Sequence, residues 1–293
     1  MKRKPERLAL LAVAFGLWSA SAYAQTAATL LVDPAWLAAH LSDRDLVILH
    51  VGRKPEYDAE HIRGARLISD ADVTVSVGGG MYDLPPYGDL RSKLASFGIS
   101  DGSRIVVYFG KDTPVQSATR IVFTLDYAGL GDRTSLLNGG LAAWKRAGQA
   151  VTSDASPRTA GTLTARPAKN VVADAELVKS VGRRPGYVLV DARAPVFYTG
   201  IEASMGKSGH IPGAINIPFS SVTDTTLTID RDRVADLFQK AGVKSGDTIV
   251  AYCHIGQQAT AVVFAARLLG HPVLLYDGSM HDWAMNNRGP VEK

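Results

Sequence analysis

The chain has 293 residues, enough for two domains of ordinary size, and its 46% hydrophobic and 20% charged content is that of a soluble globular protein. Its net charge is +4, yet four cations and one glutamate fall in the first 24 residues, and without them the balance drops to +1. That leaves no basic stripe for nucleic acid. No apolar run after residue 24 is long enough to cross a bilayer as a helix.

Lys2, Arg3, Lys4 and Arg7 form a basic head, Leu8 to Trp18 an apolar run too short for a span, and Ala22 and Ala24 a small-x-small end. Residues 1–24 are therefore expected to be a secretory signal peptide cleaved after Ala24, which places the mature protein in the periplasm or outside the cell. No cysteine follows that point directly, so a lipoprotein anchor is not suggested.

Asp33-Pro34 reads as a helix N-cap with proline at the first turn, and Trp36 to Leu41 as the short helix it starts. Leu46 to Val51 is a buried strand. Glu56 to His61 leads into H-I-R-G-A at 61–65. Val75 to Tyr87, with its glycines and Pro85-Pro86, is a loop. Leu90 to Phe97 is a helix stopped by Gly98, and Arg104 to Phe109 a strand. Ser117 to Tyr127 is a helix, Ser135 to Leu137 a strand, and Asn138-Gly139-Gly140 a turn into a helix with Trp144. Residues 152–170 are polar and carry Pro157 and Pro167, the composition of a linker.

The series then repeats. L-H-V-G-R-K-P at 49–55 parallels L-V-D-A-R-A-P at 189–195, and H-I-R-G-A at 61–65 parallels H-I-P-G-A at 210–214. F-G-I-S-D-G-S-R-I-V-V-Y at 97–108 parallels A-G-V-K-S-G-D-T-I-V-A-Y at 241–252, and L-L-N-G-G-L-A-A-W at 136–144 parallels L-Y-D-G-S-M-H-D-W at 275–283. A period this long means duplicated domains, not a solenoid. The expected layout is an N-terminal domain over 25–151, a linker over 152–170 and a C-terminal domain over 171–293. Each copy alternates apolar strands with amphipathic helices. That pattern predicts an α/β fold whose mostly parallel sheet is flanked by helices and binds ligands beyond the carboxyl ends of its strands.

The only cysteine, Cys253, lies at such an end, between Ile249–Tyr252 and a helix over Ala259–Leu269. A free thiol has a pKa of about 8.5 and is only a few per cent ionised at neutral pH. Main-chain N–H groups curled at the turn before a helix form an anion nest, and a shift of about 2 units would favour the thiolate by about 2.7 kcal/mol. The plain alternative is a small buried hydrophobe, the usual state of an unpaired cysteine. An exported chain with one cysteine cannot close an internal disulfide, which argues for a task. Aligning Tyr108 with Tyr252 sets Phe109 against Cys253, and the first copy's loop is three residues longer and lacks a nucleophile.

With D-A-R at 191–193, G-H-I-P-G-A at 209–214, Y-C-H-I-G-Q-Q-A at 252–259 and D-G-S-M-H-D-W at 277–283, the whole mature chain resembles a tandem rhodanese-type sulfurtransferase. The resemblance implies an inactive first domain and a catalytic second one. In it Cys253 attacks a sulfane sulfur such as that of thiosulfate, carries it as a persulfide, and yields it to cyanide or a thiol without cofactor or metal. It places the substrate against His254, Ile255, Gly256, Gln257 and Gln258, whose N–H groups would hold the persulfide and the leaving anion. His254 and Ile255 replace two basic residues frequent in thiosulfate-preferring members. Ile255 also replaces the serine of members that use mercaptopyruvate, which disfavours that donor, and Phe197 stands where some long-chain members place a substrate-binding arginine. Gln257 and Gln258 are amides able to donate to an anion or to face solvent. Asp191 and Arg193 are expected to support the loop as an internal ion pair. His61 and His210, matched in both copies, are read as structural, and Trp283, matched by Trp144, as packing.

A phosphatase on this fold would need an arginine six residues after the cysteine, where Ala259 stands. A thiol–disulfide oxidoreductase would need a second cysteine. A non-catalytic exported binding module, or a carrier passing sulfur only to a protein partner, remains the alternative. The expected partners are a small-molecule donor and acceptor.

Overall fold

In the computed structural model, residues 30–76, 82–156 and 159–293 are described. The expected signal peptide lies outside them. Among the described residues, no helix is long and apolar enough to cross a membrane.

The first copy contains β1 (Leu31–Val32), α1 (Pro34–His40), β2 (Leu46–Val51), α2 (Lys54–Ala59), β3 (Arg66–Ile68), α3 (Tyr87–Ser96), β4 (Arg104–Phe109), α4 (Val115–Leu125), β5 (Thr134–Leu137) and α5 (Gly140–Arg146). The second contains α6 (Ala175–Val181), β6 (Tyr187–Asp191), α7 (Pro195–Tyr198), β7 (Ala214–Asn216), α8 (Arg231–Lys240), β8 (Thr248–Tyr252), α9 (Ala259–Leu268), β9 (Val273–Leu275) and α10 (Ser279–Met285). The first sheet runs β1-β5-β4-β2-β3 and the second β7-β6-β8-β9, and their paired strands are parallel. Val172 bridges Leu275 in parallel, standing where β1 stands in the first copy. Central strands Val47–Val51, Ile105–Phe109 and Ile249–Tyr252 are buried throughout, as strands covered on both faces must be.

Local rules account for the helix ends. The Asp33 carboxylate accepts from the Trp36 N–H at 2.7 Å, and Gly98 takes φ +76° after α3. The described residues of the 152–170 stretch pack against the first copy. Thr152 pairs with His61, Gly161 donates to the Ala95 carbonyl, the Asp101 carboxylate caps Thr164 and Ala165, and Leu163 is buried.

One expected match shifts by a residue. β2 pairs His50 with Tyr108, while β6 pairs Asp191 with Tyr252. The Tyr108 and Tyr252 hydroxyls take the N–H groups of Ile62 and Ile211, each at 3.0 Å, which fixes them as counterparts. His50 is therefore the partner of Asp191, and Gly52 that of Arg193. The proline after each strand misled the alignment, because it sits at the second helical position in α2 and the first in α7.

α4 and α9, the helices that follow the two loops, pack on each other. Thr119 and Thr260, equivalent once the longer loop is allowed for, meet with their hydroxyls 2.9 Å apart. The copies thus face each other about a pseudo-twofold contact.

Candidate active site

Cys253 directly follows β8 and has no accessible surface. Its N–H donates to the Ser279 hydroxyl at 3.0 Å, and its carbonyl accepts from Met280 at the start of α10. In the first copy Gly140 replaces Ser279. A Cβ there would run into the Phe109 ring, which fills the room that Cys253 and Ser279 share in the second copy.

After Cys253 the carbonyls turn outward and are taken. His254 O accepts from His281 N–H at 2.9 Å, Gly256 O from Arg120 Nη1 at 3.2 Å, Gln257 O from Thr260 and Gln258 O from Ala261. Among the described residues, no acceptor in the protein receives the N–H groups of His254 through Ala259. Carbonyls engaged and consecutive N–H groups left over are the arrangement of an anion nest ahead of a helix. Gly256 permits it. Its φ is +86°, and a Cβ would strike the Asp277 backbone carbonyl and carboxylate.

The side chains of the loop divide. His254 Nδ1 lies 2.6 Å from the Ser204 hydroxyl, and its ring stands edge-on to Phe197 at 4.7 Å. Burial, and then the Arg193 charge, push its pKa below the usual imidazole value, which favours the neutral ring. Ser204 itself is buried on a two-residue turn, exchanging both backbone hydrogen bonds with Lys207. Gln257 is half-buried and turns its amide nitrogen inward. Its amide donates to Asp70 at 2.6 Å and to Ser117 at 3.2 Å, both in the first copy, so only its N–H remains for an anion. Gln258 Oε1 is buried without a partner among the described residues. Ile255 brings no polar side-chain atom to the loop.

Asp191 and Arg193 are fully buried and paired. Arg193 Nε donates to Asp191 Oδ1 at 2.9 Å, its Nη2 to the Gly209 carbonyl at 2.8 Å, and Tyr252 adds its hydroxyl to Asp191 Oδ2 at 2.9 Å. They join the ends of β6 and β8 beneath the loop. His61 and His210 each direct Nδ1 to the carbonyl of a tyrosine, Tyr57 and Tyr198, and stack on that tyrosine's ring. Trp144 and Trp283 are buried, each donating its indole N–H to a carbonyl six or seven residues on.

The charged residues nearest the loop from outside were not foreseen. Arg120, on α4, has no exposed surface and pairs with Asp277. Asp70 is half-buried, and desolvation raises its pKa despite the hydrogen bonds from Tyr82, Gln257 and Ser117. Arg120 did leave a trace in the sequence, as a lone charge in S-A-T-R-I-V-F-T-L, a helix otherwise without charge.

The first copy's loop is closed by its own chain. The Glu56 carboxylate packs on Gly110 and accepts from Asp112 N–H at 3.0 Å and from the Thr113 hydroxyl.

The rhodanese-like domain profile matches residues 33–147 and 174–286. A probable 3-mercaptopyruvate sulfurtransferase of Pseudomonas aeruginosa is 34% identical over 87% of this chain and 95% of its own. The thiosulfate sulfurtransferase of the same organism is 27% identical over 90% and 97%, and that of Gallus gallus 28% over 78% and 80%. Among solved structures, the anaerobic ergothioneine biosynthesis enzyme from Chlorobium limicola superposes with a TM-score of 0.81 at 22% identity, over 90% of this chain and 70% of that one, a likeness of fold. Two rhodanese-like domains in tandem, with Cys253 at the head of the second domain's loop, make this chain a member of the rhodanese family, whose named relatives here are sulfurtransferases.

Proposed function

We propose that Cys253 carries a sulfane sulfur from an anionic donor, thiosulfate first among them, to cyanide or a low-molecular-weight thiol. The observation that carries this reading is the row of N–H groups from His254 to Ala259, left without acceptors among the described residues, directly after the only cysteine. The thiolate attacks the outer sulfur of thiosulfate and forms a new S–S bond. The old S–S bond breaks, and its electron pair leaves with sulfite. Cyanide then attacks the outer sulfur of the persulfide, giving thiocyanate and returning the thiolate. The negative charge in both steps falls where a nest of main-chain amides acts most strongly.

Ile255, without a hydroxyl, favours thiosulfate over a keto acid. 3-Mercaptopyruvate is the second reading, favoured by the 34% identical relative. Cys253 has no accessible surface, so the donor reaches it only when the cover over the thiol opens. The basic head, short apolar run and Ala22-x-Ala24 end support export to the periplasm or beyond.

Steady-state kinetics with the two donors in parallel, with cyanide as acceptor, test the reading. Turnover with thiosulfate that disappears in Cys253→Ser is expected. Turnover with 3-mercaptopyruvate alone would reverse the donor assignment, and equal activity in Cys253→Ser would end the mechanism.

A further inference from the structure

The two copies differ in more than the nucleophile. The Thr119–Thr260 contact and the strand register define counterparts across the duplication. Arg120 corresponds to Ala261, and Asp70 to Phe219. The charges therefore stand in the copy without the cysteine, and both reach across to the loop that has it. Asp70 takes the Gln257 amide. Arg120 does more. Its Nη1 donates to the Gly256 carbonyl at 3.2 Å and to the Asp277 carboxylate, and its Nη2 to the Tyr82 carbonyl at 2.7 Å. The other oxygen of Asp277 accepts from Leu84 N–H at 3.0 Å.

Gly256 is where the loop reverses, with φ at +86°. Turning its carbonyl toward the first copy fixes the Gly256–Gln257 peptide plane, and with it the opposite sense of the Gln257 N–H in the middle of the row. A guanidinium fork suits this duty because one arm, Nη1, takes the Gly256 carbonyl and the Asp277 carboxylate while the other, Nη2, is fixed on the Tyr82 carbonyl. A buried charge placed there only for stability would be a poor choice, since a hydrophobic pair of the same volume does as well or better.

We infer that Arg120 is a positioning residue for the Cys253 loop. By holding the Gly256 carbonyl against Asp277 it keeps the nest formed, so the copy without a nucleophile supplies a working part of the catalytic site. This rests on the sulfurtransferase reading for its rate consequences, though not for its effect on the thiol.

The test uses the full chain. Arg120→Met combined with Asp277→Asn removes both charges without leaving either buried alone, and Arg120→Lys keeps the cation but loses the fork. Circular dichroism and thermal melts establish that each variant is folded. The pH profile of Cys253 alkylation by iodoacetamide is then followed. A looser cover scales the rate at every pH, whereas a lost nest moves the midpoint. Asp191, Arg193, His254 and His281 are unchanged in all variants. In the double variant the midpoint is expected to rise by about 1 unit toward that of a free thiol. The kcat for thiosulfate is expected to fall about tenfold or more, with KM changed less. Arg120→Lys should fall between the double variant and wild type in both, and it carries the test alone should the double variant not fold. A midpoint and kcat within twofold of wild type in a folded variant would overturn the inference. Should wild type show no turnover with either donor, the sulfurtransferase reading fails, while the alkylation midpoint still decides the role of Arg120.

Discussion

Phe109 and Cys253 hold the same place in the two copies, and the difference between them reaches beyond one atom. The Phe109 ring takes the space that lets Ser279, in place of Gly140, offer its hydroxyl to the Cys253 N–H. Glu56 occupies the amide of the first loop with a carboxylate of the chain's own. Restoring a thiol should therefore not restore activity: Phe109→Cys is expected to acquire no sulfur at residue 109 after thiosulfate treatment, read by peptide mass spectrometry. Sulfur found on the introduced thiol would show that Phe109 alone silences the copy. Gly256→Ala is expected to lower thermal stability by about 1–2 kcal/mol for the left-handed backbone alone and to abolish turnover, because the loop cannot keep its reversal. Wild-type turnover in that variant would show the reversal is not needed. His50 shows the same economy of space. It is buried beside Tyr108 with Nε2 unpartnered among the described residues, and burial holds its pKa down at about 4. Its unfolded value is about 6.5, so the unfolded chain binds the extra proton between the two. Stability is then fully present above pH 6.5 and falls by about 3 kcal/mol as pH drops toward 4. His50→Gln should flatten that part of a denaturant-midpoint profile, and an unchanged slope would clear His50 of the effect.

At the scale of elements, the ends of β6 and β8 are joined by a triad of Asp191, Arg193 and Tyr252 with no exposed side chain among the ion pair. Removing one partner of such a pair leaves a buried charge. Arg193→Met is expected to destabilise the protein by about 3 kcal/mol or more in chemical denaturation, and Tyr252→Phe by about 1 kcal/mol. A loss below 1 kcal/mol in Arg193→Met would mean that Asp191 finds water or another donor. The strands and most helices were readable because apolar runs, caps and glycine stops act locally. Asp33-Pro34, Gly98 and Asn138-Gly139-Gly140 each mark an end that the structure keeps. The β2–β6 match slipped by one residue because a proline can open a helix at either of its first two positions. Only the tyrosine hydroxyls, bonded far along the chain, fix the register.

For the whole molecule, the duplication was legible in four paired segments, and the place of the cysteine followed from the strand before it. What could not be read was the traffic between copies. Gln257 looked equally suited to solvent, yet its amide lies on Asp70, 187 residues earlier in the chain. Arg120 and Asp277, 157 residues apart, meet only because α4 and α9 pack face to face. Sequence spacing carries no signal for contacts that a pseudo-symmetric docking creates. The first copy is thereby more than a wall, since its helix α4 and the segment at Tyr82–Leu84 hold the turn that follows the nucleophile.

Whether Cys253 takes up sulfur is the point from which every other expectation here descends. The direct measurement is the intact mass of the protein after thiosulfate and removal of excess donor, beside Cys253→Ser treated alike. Wild type should gain one sulfur that cyanide removes as thiocyanate, and the variant should gain none. An unaltered wild-type mass with either thiosulfate or 3-mercaptopyruvate, or an equal gain in the variant, would contradict the account.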